Sequence, residues 1–133
     1  MRENDSARTI PYSFAILHVV PHVHVGACCA VGIVLHAPTE RFVGMRALTD
    51  AATLARRAPD VDVELLRRYL STYQSACDAQ HSAGALALGS PSERFHWLTA
   101  PRSDVIQSGA VHEGICADPA AELETLFREL VRP

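Results

Sequence analysis

At 133 residues, with 48% hydrophobic and 20% charged residues, the chain is long enough for one domain with its own core and lies far from the composition of disordered segments. Its formal net charge of −3 gives no whole-protein field for nucleic acid. The longest apolar stretch, residues 27–37, is interrupted by His36 and falls well short of the roughly 20 residues that cross a bilayer as a helix.

All 12 basic residues are Arg, so lysine Schiff-base and phosphate-lysine chemistry are excluded, whereas local guanidinium recognition of anions is not. The 4 cysteines are Cys28, Cys29, Cys77 and Cys116. An adjacent pair does not suit a disulfide framework, and no secretory leader precedes them, so reduced thiols in a cytoplasmic protein are expected.

Residues 1–11 are polar and charged and read as a flexible arm, followed by a single domain over residues 12–133. Residues 12–20 are rich in aromatic and β-branched side chains. A strand there places Tyr12, Phe14, Ile16, His18 and Val20 on one face and stops at Pro21. After a turn, residues 28–36 form a nearly continuous apolar run suited to a central strand covered on both faces. Residues 41–48 follow a Pro38-Thr39-Glu40 turn and complete a three-stranded antiparallel meander.

Thr49 or Asp50 caps a short helix ending near Arg57. A longer helix begins near Asp60, with Leu66, Tyr69, Leu70, Tyr73, Ala76 and Cys77 as its core-facing stripe. Residues 82–89 read as a loop or short strand. Ser90, Pro91 and Glu93 then form a capping-box helix start, and Pro101 forces Ala100 out of helical geometry. A further strand is expected over residues 104–107, with Gly109 at a turn or bulge. Asp118-Pro119 starts a last helix whose stripe is Leu123, Leu126, Phe127 and Leu130. Strands first and helices after, with no βαβ alternation, predict an α+β fold: an antiparallel sheet of the meander plus a later strand, with helices packed on one face.

Two clusters carry candidate chemistry. His18, His22, His24, Cys28, Cys29 and His36 are potential zinc ligands by type. They contain no CxxC pair, match no zinc spacing, and Cys28 and Cys29 point to opposite sides of a strand, so no metal or other cofactor is expected.

The second cluster is Arg94, Trp97, Arg102, Ser103, Gln107 and His112. Two guanidinium forks with a hydroxyl and an amide suit a phosphate or carboxylate. His112 offers acid–base chemistry, but Glu113 beside it faces the other way on a strand, which argues against a dyad. The same residues also have a purely structural reading, with Trp97 as a core anchor and the arginines tying loops down through carbonyls. Phosphate loops, nucleophile elbows and metalloprotease helices are missing from the chain, which favours a binding role over an enzyme.

The run Ser92-Glu93-Arg94-Phe95-His96-Trp97-Leu98, followed by Ala100-Pro101-Arg102-Ser103, Ile106-Gln107, Val111-His112-Glu113-Gly114 and Asp118-Pro119, resembles the bacterial family called domain of unknown function 3037 (DUF3037). Tyr12-Ser13-Phe14, Val19-Val20-Pro21, Val31-Gly32-Ile33-Val34-Leu35 and Arg41-Phe42 extend the resemblance over nearly the whole chain. The family pattern leads its second strand with an acidic residue and Asn-Val-Gly, where this chain has Ala30-Val31-Gly32. An activity depending on that Asn would not carry over, because Ala30 has no amide.

The resemblance implies no reaction. It does imply a protein partner, a HipA-like kinase, since members are associated with such kinases. The expectation is a binding or adaptor domain acting with a protein partner or by self-association. The alternative is an enzyme or enzyme-accessory domain holding a phosphate-bearing or nucleic-acid ligand through Arg94, Arg102 and His112.

Overall fold

A computed structural model describes residues 8–19, 30–59, 61–101 and 105–132. Five strands form one antiparallel sheet: β1 (Ile10–Val19), β2 (Ala30–Ala37), β3 (Phe42–Ala47), β4 (Ile106–Ser108) and β5 (His112–Cys116). The order is β3-β2-β1, and both β4 and β5 pair with the outer side of β1. These two are one edge strand broken by a bulge. Ala15 and Ile16 of β1 lie opposite Gly109, Ala110 and Val111, and the Gly109 N–H donates to the Ile16 carbonyl at 2.8 Å.

The helices are α1 (Ala51–Arg57), α2 (Val63–Cys77), α3 (Pro91–Thr99) and α4 (Pro119–Leu126). Their starts follow the sequence signals. Asp50 accepts from Thr53 N–H, Ser90 and Glu93 close a full capping box, and Asp118 accepts from Ala120 and Ala121 N–H. The second helix starts slightly later than expected, capped by Asp62. Residues 81–88, expected as a loop or strand, form 3-10 turns joined across Gly84, which has φ 65°. β1 begins at Ile10, so the last two residues of the expected arm are already in the sheet; residues 1–7 lie outside the described residues.

The α+β class and the antiparallel meander are as expected, but the helices cover both faces of the sheet rather than one. Along β2 the side chains alternate, yet Val31, Ile33, Val34, Leu35 and Ala37 are all 0% exposed. One face carries Phe14, Leu35 and Gly44 in one cross-strand row and Ile16, Ile33 and Arg46 in the next; α4 and its continuation pack there, against Gly44 and Arg46. The other face carries Ser13, His36 and Val43, then Ala15, Val34 and Met45, and meets α3, which itself packs on α2.

The end of the chain departs from the expected stripe for a related reason. Beyond Leu126 the helix widens into a π turn (Phe127–Val131), closed by Arg132 N–H donating to the Phe127 carbonyl at 2.9 Å. The wider turn brings Val131 inward at 0% exposure and leaves Leu130 40% exposed.

Gly114 is fixed by its neighbour across the ladder. The buried Tyr12 ring crosses it, held by Tyr12 Oη donating to Glu122 Oε2 at 2.7 Å, and a Cβ on residue 114 would lie 2.7 Å from Tyr12 Cζ and Oη. We expect Gly114→Ala to lower stability by about 1–3 kcal/mol, the usual cost of overpacking. In a Tyr12→Ala background the same substitution should cost much less. Urea denaturation of the double-mutant cycle measures the difference, and additive losses would show that the ring is not what excludes a side chain there.

Candidate functional site

The six candidate residues fall on different parts of the fold. Arg94 sits in the second turn of α3. Its Nε donates to the Cys77 carbonyl at 3.2 Å, and its Nη1 donates to the Gly89 carbonyl. Cys77 is the last residue of α2, and Gly89 directly precedes the α3 cap. One guanidinium therefore joins the end of one helix to the start of the next and satisfies a terminal carbonyl that α2 cannot pair internally. Trp97 is half-buried on α3, its ring 5.5 Å from that of Tyr73 of α2, and it walls a hollow of about 350 Å³ with Ser71, Thr72, Ser75 and Leu86.

Gln107 and His112 lie elsewhere. Gln107 pairs with His18 and His112 with Phe14, both on the sheet face that carries α4, and the His112 ring is exposed with its centroid 5.3 Å from that of Phe14. Arg94 and Trp97 belong to α3 on the opposite face. Arg102 and Ser103 lie outside the described residues.

Of the early His and Cys cluster, His22, His24, Cys28 and Cys29 also lie outside them. His18 and His36 are described and point from opposite faces of the sheet. Cys77 and Cys116 are buried free thiols; burial pushes Cys77 up to about 12 and also raises Cys116, so neither is a ready nucleophile.

The structure brings forward a different polar group. His36, on the central strand, is the one buried polar side chain among the described residues, 7% exposed. Its Nε2 lies in hydrogen-bond contact with Ser92 Oγ at 2.9 Å, and its ring stacks on Phe95 with centroids 5.0 Å apart. Ser92 is in the first turn of α3, so the contact bolts α3 to the sheet. Desolvation, with the neighbouring His96 adding to it, lowers the pKa of His36. With one flank stacked on Phe95 and almost no solvent contact, the ring serves as a link between layers. In sequence His36 showed as an interruption of an apolar run and as a member of the early His and Cys cluster, with nothing to link it to Ser92.

The cross-strand row through His36 continues outward to Ser13 on β1 and Glu113 on β5. There the sheet face opens into a concavity of about 530 Å³, lined by Pro11, Ser13, Pro38, Glu113 and Ile115. Ile115 is 67% exposed and Val111, at the bulge, 48%. Among the described residues β5 pairs only with β1, so its outer backbone edge is open. An apolar floor with a carboxylate and a hydroxyl, beside an open strand edge, suits an extended polypeptide.

The DUF3037 pattern, described as a protein of unknown function, matches residues 14–131. The chain belongs to the DUF3037 family. The match spans every helix and strand described above except the first residues of β1, so in DUF3037 terms Arg94, His36 and the β5 edge all lie inside the family domain. No curated protein and no solved structure matches the chain.

Two outcomes test the structural roles assigned here. Arg94→Ala leaves the Cys77 and Gly89 carbonyls without their donor and should cost about 1–3 kcal/mol in chemical denaturation. Arg94→Lys should recover only part, since one ammonium cannot reproduce the guanidinium fork. The second outcome concerns pH. The folded protein binds the His36 proton less readily than the unfolded chain, so titration of His36 adds no pH dependence to stability well above pH ~6.5 and lowers stability as pH falls below it. His36→Gln should therefore lose less stability than the parent protein between about pH 6.5 and pH 5. Parallel pH profiles would show that the ring titrates freely in the folded state.

Proposed function

We propose that this DUF3037 domain is a non-enzymatic binding domain that takes an extended segment of a protein partner along β5, as an added strand. The observation that carries the reading is Ile115, exposed on a strand whose outer edge is open and flanked by the concavity that holds Glu113 and Ser13. A strand added there gains main-chain hydrogen bonds for affinity, and alternate side chains of the segment meet Ile115, Pro11 and Pro38 for specificity. Glu113 favours a basic residue in that segment. The engagement of Arg94 with two carbonyls speaks against the alternative of a phosphate ligand held by Arg94, Arg102 and His112. A HipA-like kinase is the partner that the family resemblance favours.

The test is affinity capture from the native host with the parent protein and with Ile115→Asp. The exposed position should tolerate the change with an unaltered melting temperature. The expected result is a stoichiometric partner with the parent and its loss with the variant. Repeated recovery of the protein alone, or equal capture by both forms, would overturn the reading.

A further inference from the structure

The opposite edge of the sheet carries a feature that the binding reading does not use. β3 ends at Ala47, and residues 48–50 turn into α1. Beside this turn is a hollow of about 200 Å³ bordered by Arg46, Thr49, Asp50, Thr53, Phe127 and Arg132. A second hollow of about 310 Å³ adjoins it, sharing residues 46–49 and adding Arg67, Leu70, Ser71 and Gln74. Three guanidiniums thus surround one strand end in a chain whose net charge is −3.

The smaller hollow brings two guanidiniums, Arg46 and Arg132, together at one strand end. The Arg46 guanidinium lies 4.6 Å over the Phe127 ring, with Nε 2.7 Å from Glu124 Oε2. That Nε is buried and ion-paired, so stacking and charge hold the plane of the fork and the two Nη groups are the donors left for a ligand. Arg132 also lines the hollow, and the pKa of Asp50 is lowered chiefly by its hydrogen bonds from Thr53, with the charges of Arg56 and Arg132 adding to it.

Asp50 is the one carboxylate lining the hollow, and one of its two oxygens is engaged. Its Oδ2 accepts from Thr53 N–H at 2.9 Å and from Thr53 Oγ1 at 2.7 Å, which ties that oxygen to the first turn of α1. The Nη groups of Arg46, the Arg132 fork and the Thr49 hydroxyl then line one hollow and suit a tetrahedral oxyanion. The larger hollow differs in character: Leu48 and Leu70 supply apolar surface and Ser71 a hydroxyl for the body of a ligand, while the Gln74 amide is held by Met45 and Asp78 and Arg67 pairs with Glu64.

We infer that this edge binds a small phosphomonoester, with the phosphate between Arg46 and Arg132 and the organic part in the adjoining hollow along α2. The site lies on the β3 edge and is independent of the partner segment proposed for β5.

The probes are inorganic phosphate and glucose 6-phosphate, added to the full chain at constant ionic strength set with chloride. Binding is read from the melting temperature and by calorimetry. Phosphate should raise the melting temperature saturably, and Arg132→Ala should weaken it about tenfold or more, the loss expected for one charge-assisted contact. Arg128→Ala removes the same charge from exposed helix surface outside the hollow and should leave affinity within about twofold.

Glucose 6-phosphate should bind more tightly than phosphate, and Ser71→Leu, which fills the larger hollow, should cancel that advantage while leaving phosphate affinity unchanged. Should Arg132→Ala prove unstable, Arg46→Lys keeps the charge but removes the fork and should give the same loss. A phosphate response no different from chloride, or equal effects of Arg128→Ala and Arg132→Ala, would overturn the phosphate site. Equal affinity for the two probes would overturn the assignment of the larger hollow.

Discussion

Burial of β2 on both faces is the constraint from which the remaining architecture follows. A strand with Ile33, Val34 and Leu35 all excluded from solvent needs a hydrophobic layer on each side. With the sheet at the front of the chain, those layers must come from the later helices: α3, resting on α2, for one side and α4 with its π turn for the other. Close approach then dictates small residues. At Gly44 a Cβ would sit 2.8 Å from Phe42 Cζ of the same strand and 2.9 Å from Leu123 Cδ2 of α4, so strand neighbour and helix together leave little room for a side chain there. The energetic balance is dominated by this burial, since each fully buried Leu or Ile contributes roughly 1.5–3 kcal/mol. The polar contacts decide where the helices sit.

α3 shows how that positioning works. It is short, its capping box closes only its own first turn, and Pro101 follows just beyond its end. Three contacts made from within five residues hold it in place: Ser92 to His36 of the sheet, Phe95 on the His36 ring, and Arg94 to the carbonyls on either side of the excursion that follows α2. Burying His36 would be costly if its Nε2 had no partner. Ser92 supplies one without bringing a charge, and desolvation favours the neutral ring. The segment that looked most like a ligand-recognition motif is thus, in its described part, mainly the fastening of a helix.

Local signals were legible in the sequence because their physics is local. The caps at Asp50, Ser90 and Asp118, the turn at Pro38 between β2 and β3, and the break at Gly109 each depend on a few neighbouring residues. The division of helices between two faces was not legible, because hydrophobic periodicity shows which side of a helix is buried and never which side of the sheet it meets. The π turn was hidden for a similar reason: Leu130 and Val131 are both apolar, and only packing chooses between them. Ser92 and His36 are far apart in sequence, as are Arg46 and Arg132, so neither association has a spacing to detect. Arg94 was legible as either a clamp or an anion anchor, and the Cys77 and Gly89 carbonyls supply the clamp.

The two edges of the sheet divide the remaining surface by chemistry. Natural sheets blunt exposed edges with charge, proline or a covering element. The β3 edge follows that rule: Arg46 projects from it, Glu124 and Phe127 hold it from α4 and the π turn, and α1 begins where the strand stops. The β4–β5 edge follows it only in part. Its bulge at Gly109 limits the paired length, but β5 contains no basic residue, its single charge, Glu113, lies toward the concavity, and Ile115 and Val111 are exposed on either side of it. An edge left open and apolar invites association, so leaving it unguarded costs solubility unless something covers it. That asymmetry separates a charged edge suited to a small anion from a bare edge suited to another chain, within one DUF3037 domain.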